Sequence, residues 1–303
     1  MGQTCRAVEV ILVDDGSTDA SAALCDALAA EDGRVRVIHQ ANAGVSAARN
    51  AGIEAAQGKY LQFVDADDEL LPGYSAALLQ KAKASEADLV ISGYRNVRNG
   101  IQSSRLPPQI EISTSKDLAE HFEMFYFSML LNSPWNKLYR LALVQQGFPL
   151  GVPMGEDFMF NMAFLENAKT VAVTHEDGYL YMHRADSDSA SMRFSRHRVS
   201  SMLEYCDCVM PFLKKWLPEE RIQQIYDRVV FHSLCNNLNM LARSRQDSRE
   251  AVDAYLRNQQ IRECIKRIRL NGFPKSKQIV GLCLKARLNE VAIAGIRWAA
   301  RKS

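Results

Sequence analysis

No stretch of this 303-residue chain is both long and apolar enough to cross a bilayer, which takes about 20 mostly apolar residues. The best run, Gln278 to Ala300, is broken by Lys285, Arg287, Glu290 and Arg297. No basic leader with an apolar heart opens the chain either: Met1 to Arg6 is polar and runs straight into a strand, so the protein is expected in the cytoplasm. Cysteine is sparse. Its seven copies, Cys5, Cys25, Cys206, Cys208, Cys235, Cys264 and Cys283, share no repeating spacing, which argues against a disulfide framework or a four-ligand zinc site and for reduced thiols. No Gly-x-Gly-x-x-Gly follows a strand, which disfavours a dinucleotide-dependent dehydrogenase, and the Gly-x-Gly-Thr-Arg loop expected of a nucleotidyltransferase is missing too. Neither sign of charge dominates: 37 Lys and Arg stand against 35 Asp and Glu, so no nucleic-acid partner is expected.

What is present is ordinary globular material, 47% hydrophobic and 24% charged. Val8 to Asp14 is an aliphatic run of strand length, and it ends in the turn residues Asp14, Asp15, Gly16 and Ser17. Thr18 or Asp19 can cap a helix that runs to about Ala30. Arg34 to His39 reads as a second strand, Ser46 to Ala56 as a helix, and Tyr60 to Val64 as a third strand ending at Asp65. A helix over Pro72 to Ala84 and a strand over Asp88 to Gly93 complete the run. Such alternation marks a parallel sheet with helices on both faces, and ligands of such sheets sit at the carboxyl ends of the strands. Asp14-Asp15 and Asp65-Ala66-Asp67-Asp68 both stand at such ends, so they are expected to share one crevice.

Residues 95 to 115 read as a loop, Ser115 to Leu131 as an aromatic-rich helix, and Ser133 to Arg140 as the lead into another helical piece. Gly155 to Asn161 opens an apolar helix, and 169 to 174 and 178 to 183 read as strands. From Ser195 onward only helices are expected, roughly 195 to 217, 219 to 243, 247 to 270 and 275 to 300. The last sixty residues carry about three times as many basic as acidic side chains. A basic helix there suits the surface of an anionic membrane, and equally suits a helix packed on its own domain with a solvated basic face.

Five segments follow one another in register: Val13-Asp-Asp-Gly-Ser-Thr-Asp19, Asn42-Ala-Gly-Val-Ser-Ala-Ala-Arg-Asn-Ala-Gly52, Asp65-Ala-Asp-Asp68, Trp135-Asn-Lys-Leu-Tyr139 and Gly155-Glu-Asp157. In that order they resemble the inverting glycosyltransferases of family 2, over residues 3 to about 192. The resemblance implies an α/β fold of the GT-A type, a Rossmann-like and mostly parallel sheet covered on both faces. Residues 1–105 would be its nucleotide-sugar-binding half, 106–194 its acceptor-binding half, and 195–303 an all-helical basic region. It implies transfer, with inversion, from a nucleoside diphosphate sugar, most often a UDP-sugar, to a glycan or lipid-linked acceptor. The motifs are most similar to those of enzymes that build capsular, exopolysaccharide or teichoic-type polymers.

The same resemblance distributes roles, and each role has a plain structural rival. Asp67 would ligate Mn2+ or Mg2+ with Asp65 as partner, because a cation held by carboxylates neutralises a departing diphosphate; an acidic loop capping the next helix is the rival. Asp15 would accept from the imide of the base, or simply form a turn. Arg49 would support the base or pyrophosphate, or pair with a surface acid. Asp157 would be the general base with Glu156 beside it, although acids suit any first helical turn. Trp135 would stack on a sugar while Asn136 and Lys137 reach donor or acceptor, or Trp135 is core. His183 and Arg184 would close over the diphosphate, or lie in a solvated loop.

Members of the family usually begin with an aliphatic strand and a helix whose last turn resembles Gln3-Thr4-Cys5, so the first strand of the fold is expected to be missing here. Met1 then reads as an internal or misassigned start, or the sequence as a fragment, and a catalytically silent binding or assembly protein becomes the alternative function.

Overall fold

The computed structural model describes residues 3–152, 154–183, 198–243, 249–289, 291–292 and 294. The chain divides into two compact units, 1–187 and 188–303.

In the first unit β1 (Val10–Asp14) and β2 (Val35–His39) pair in parallel from Val10↔Val35 to Asp14↔His39, joined by α1 (Ser21–Glu31). Four of five β1 residues are apolar, yet only Asp14 is buried. β2 is the one strand that β1 pairs with among the described residues. α2 (Val45–Ala55) packs on β1. Next come β3 (Tyr60–Leu61), β4 (Glu69–Leu70), α3 (Tyr74–Ala84), β5 (Leu89–Ser92), and the hairpin β6 (Tyr94–Arg98) and β7 (Ile101–Arg105).

That hairpin stands where a loop was expected. Its two-residue turn is Asn99-Gly100, with φ of 51° and 78°, the left-handed pair that matches strand twist in a tight hairpin. The signal was masked by β7, Ile-Gln-Ser-Ser-Arg, in which every residue is exposed and no apolar face alternates.

α4 (Ser115–Glu120) and α5 (Phe122–Phe127) replace the single expected helix. Thr114 and Asp117 form a reciprocal capping box at the start, and His121, at φ −104°, separates the two. Lys137–Arg140, within the segment expected to lead into a helical piece, is itself a strand, β8; a short 3-10 turn, Leu141–Leu143, follows it. β8 is wedged antiparallel between β3 and β5, so its backbone is satisfied by neighbours on both sides. α6 (Glu156–Leu165), β9 (Val171–Thr174) and β10 (Tyr179–His183) complete the unit.

Two four-stranded sheets result, in the orders β3-β8-β5-β9 and β4-β10-β6-β7. Among the described residues three of the seven strand pairs are parallel, β1·β2, β5·β9 and β6·β10, and four are antiparallel, so the arrangement is mixed α/β. Strands from both sides of residue 105 share each four-stranded sheet. The core between sheets and helices is aromatic, with Phe63, Phe148, Phe160 and Tyr139 meeting at centroid distances of 4.1 to 5.8 Å.

The second unit is helical where described: α7 (Arg198–Asp207), α8 (Val209–Lys214), α9 (Glu219–Arg243), α10 (Arg249–Arg257), α11 (Gln259–Arg267) and α12 (Lys275–Lys285). Asp227 of α9, 5% exposed, takes both Nε and Nη2 of Arg267 at 2.9 and 2.8 Å, a two-pronged tie from α9 to α11. Among the described residues no helix is long and apolar enough to cross a membrane.

Candidate active site

The acidic turn after β1 does its first work locally. Asp14 accepts from Ser17 N at 3.0 Å and meets His39 Nδ1 at 2.9 Å, and the far ring nitrogen of His39 meets Asp26 at 3.0 Å. The Ser17 side chain first, then His39 and the Ser17 amide, hold the Asp14 carboxyl down at about 2. Gly16, at φ 73°, backs on the Asn42 loop so closely that a Cβ would stand 2.8 Å from Asn42 N. Asp15 accepts from Gln40 Nε2 (2.7 Å), Ala43 N (2.9 Å) and Gly44 N (2.7 Å). Asp15 therefore anchors the N-terminal end of α2, and its Oδ2, with one donor, keeps a free lone pair.

One turn into α2, Arg49 reaches two other elements. Its Nη2 donates to Asp65 Oδ1 at 2.8 Å, in the turn after β3, and its Nη1 donates to Asp157 Oδ1 at 2.5 Å, in the first turn of α6. Glu156 Oε1 lies 4.0 Å from the same Nη1, and the guanidinium carbon stands 5.1 Å from the centre of the Phe148 ring. The arginine side chain is 13% exposed, and the carboxylates around it are 18 to 30% exposed. Phe148 is held in place by Asn50, which accepts from Phe148 N at 2.7 Å and donates to its carbonyl at 2.9 Å. Gly147 permits that clamp, since a Cβ there would meet Asn50 Oδ1 at 2.3 Å.

Three carboxylates thus share one guanidinium. Burial pushes Asp157 up to about 7, with Glu156 and Asp65 adding to the rise and Arg49 and Lys137 opposing it. A buried carboxylate raised toward neutrality beside two other acids suits a general base. Asp67, between Asp65 and Asp68, is exposed. Among the described residues no group of three His, Cys, Asp or Glu side chains converges at metal-ligating distance. The donor set still suits a hard divalent cation, because Mg2+ or Mn2+ is commonly held by one or two carboxylates together with substrate phosphates, and Asp65 and Asp67 are the carboxylates of this turn that could supply those oxygens.

The segment Trp135-Asn136-Lys137 was expected to face donor or acceptor, and the structure places it inside. Trp135, 6% exposed, stacks on Tyr179 (4.3 Å, 13°) and on Tyr181 (5.4 Å, 12°). Asn136 and Lys137 are both 0% exposed. Asn136 Nδ2 donates to the carbonyls of Ser92 and Leu130. Lys137 Nζ donates to the carbonyls of Leu130 and Ser133 and to Asn136 Oδ1. Ser133 O also accepts from Asn161, four residues along α6 from Asp157, so the trio braces the helix that carries the proposed base. His183 is exposed at the end of β10 and meets Asn96 at 3.1 Å. Arg184 lies outside the described residues.

The glycosyl transferase family 2 model matches residues 1–148. Glycosyltransferase EpsH of Bacillus subtilis (strain 168) is 31% identical over 244 residues, 78% of this chain and 70% of EpsH. Glycosyltransferase EpsJ of the same organism is 33% identical over 191 residues, and the aligned region spans only 55% of EpsJ. Among solved structures, residues 1–349 of S. aureus TarS in complex with UDP-GlcNAc superpose with a TM-score of 0.69 at 18% identity, covering 99% of this chain and 85% of that one. The fold is therefore of the TarS type, and the chain belongs to glycosyl transferase family 2, a family of transferase enzymes.

Proposed function

We propose that this chain transfers a sugar from a nucleoside diphosphate donor, a UDP-sugar, to a hydroxyl of a glycan or lipid-linked acceptor in bacterial polysaccharide synthesis, with inversion at the anomeric carbon. The observation that carries this reading is Arg49 bridging Asp65 and Asp157, which sets the donor-side turn and the candidate base one guanidinium apart. The TarS crystal structure with UDP-GlcNAc supports a UDP-sugar donor.

Asp15, with lone-pair capacity left on Oδ2, would accept from the imide of the base. Asp67 and Asp65 would hold Mn2+ or Mg2+, which when bound supplies positive charge to the leaving diphosphate. Arg49 would swing part of its charge from Asp65 toward the pyrophosphate. Asp157 would take the proton of the acceptor hydroxyl through Oδ2 as that oxygen attacks the anomeric carbon; the bond to the diphosphate oxygen breaks on the opposite face and the nucleoside diphosphate leaves. Glu156 would orient the acceptor. His183 and Arg184, which follow Tyr179 and Tyr181 along the chain, would close over the diphosphate.

The test is a titration of the purified chain with UDP-sugars, with and without manganese, followed by analysis of the product anomer. Metal-dependent donor binding with turnover to the opposite anomer is the expected result. No nucleotide-sugar binding defeats the reading, and binding without turnover favours the silent assembly protein instead.

A cytoplasmic location against the membrane completes the proposal. On α12 Ile279 and Leu282 are 61% and 60% exposed, and Lys275 and Lys285 flank them. Cosedimentation with vesicles rich in phosphatidylglycerol, lost in Ile279→Asp, is the outcome expected; pelleting unchanged by that substitution speaks against this contact.

A further inference from the structure

Tyr179 belongs to none of the five sequence motifs, yet it fastens the Asp65–Asp68 turn to the rest of its unit. Its hydroxyl accepts from Asp65 N at 3.2 Å and donates to Asp68 Oδ2 at 2.6 Å. The other oxygen of Asp68 accepts from Met182 N at 2.8 Å, and the turn is closed by Asp68 N donating to Asp65 O at 3.1 Å. Arg49 holds the Asp65 side chain, donating to its Oδ1 at 2.8 Å. Asp65 is thus fixed at backbone and carboxylate and Asp68 through both oxygens, while Asp67 between them stays exposed. Tyr179 itself has no room to move. It is 0% exposed, lies flat against Trp135 and meets Tyr74 edge-on at 6.5 Å.

We infer that Tyr179 is a positioning residue whose hydroxyl sets the Asp65–Asp68 turn in the shape that presents Asp67 and Asp65 to a divalent cation and the donor diphosphate, with Trp135 holding Tyr179 in place from behind. The inference rests on the metal-assisted reading given above. Its physical basis is preorganisation: a turn already fixed at four points has little entropy to lose when a cation arrives, whereas a loosened turn loses more and binds more weakly. It also gives Trp135 a task, the support of Tyr179, that a buried indole can perform.

Tyr179→Phe keeps the ring, the stacking and the volume and removes both hydrogen bonds. On the full chain, with UDP as probe and calorimetric titration at increasing manganese, this variant is expected to need about tenfold more manganese for half-saturation, the size of one lost charge-assisted hydrogen bond. Its metal-free affinity for UDP should be unchanged, which a general loss of structure would not leave intact. Asp68→Asn probes the same contact from the other partner and should shift manganese dependence in the same direction, so the inference stays testable should Tyr179→Phe fold poorly. Asp67→Ala is the control. Parent-like manganese dependence in both Tyr179→Phe and Asp68→Asn, with dependence lost in Asp67→Ala, overturns the inference and spares the reading beneath it. Parent-like behaviour in all three variants overturns both.

Discussion

Arg49 and Lys137 are both cations enclosed by the α/β unit, and their surroundings differ. Arg49, 13% exposed, meets Asp65, Asp157 and, at 4.0 Å, Glu156. Lys137, 0% exposed, meets two backbone carbonyls and one amide oxygen, and no carboxylate pairs with it among the described residues. Burial pushes the Lys137 ammonium well below its ordinary range, whereas Arg49, among its carboxylates, is held above its own. Opposite charges gathered at a partly open rim can be exchanged for ligand charges. A cation sealed among carbonyls braces backbone and is poorly placed to meet a substrate.

Substitutions at the two cations break this comparison most directly. Arg49→Gln leaves three carboxylates facing one another. It is expected to lower stability by about 2 kcal/mol in urea unfolding, less than a fully buried pair would cost because the cluster is partly open. It should also move the acid limb of activity to higher pH, because an opposing positive charge on Asp157 is gone. Lys137→Met leaves its carbonyl acceptors dry but removes a desolvated charge, so the two effects partly offset. The expected net loss is about 1 kcal/mol in the same assay, with UDP affinity unchanged. A fall in UDP affinity without a fall in stability would return Lys137 to the binding surface.

The smallest effect is expected at His39, bridged between Asp14 and Asp26. The contact to Asp14, then that to Asp26, raises its pKa above the ordinary 6.5. A raised histidine stabilises the fold fully below pH 6.5 and loses that contribution as pH rises through its folded value. His39→Gln should therefore narrow the difference between urea midpoints at pH 6 and pH 8, and an unchanged difference would remove His39 from the account.

Much of the site was legible because its residues lie where strands end. Asp65 and Asp157, which Arg49 brings together, stand at a turn and a helix start that the pattern of apolar runs marks out, and Arg49 follows a small-residue segment into a helix; Asp15, expected in the same crevice, bonds to the start of α2. Tyr179 was not legible: it sits in an aromatic strand with no local mark, and its partner Asp65 is 114 residues away. Nor was the burial of Asn136 and Lys137, since polar residue types say nothing about which carbonyls wait for them, whereas a core Trp135 was one of the two readings its sequence allowed. The β6–β7 hairpin carried its Asn99-Gly100 signal openly, but an all-exposed second strand concealed it. The antiparallel insertion of β8 between β3 and β5 is a long-range choice that a four-residue strand does not encode locally.

In the proposed reaction Asp157, raised to about 7 by burial, removes the acceptor proton beside a donor turn that Arg49 ties to it. A base must be deprotonated, so sugar transfer should rise with pH through about 7 in the parent chain. In Asp157→Asn transfer should fall by about a hundredfold or more while UDP binding persists. Transfer by Asp157→Asn at the parent rate, with the parent pH profile, would contradict it.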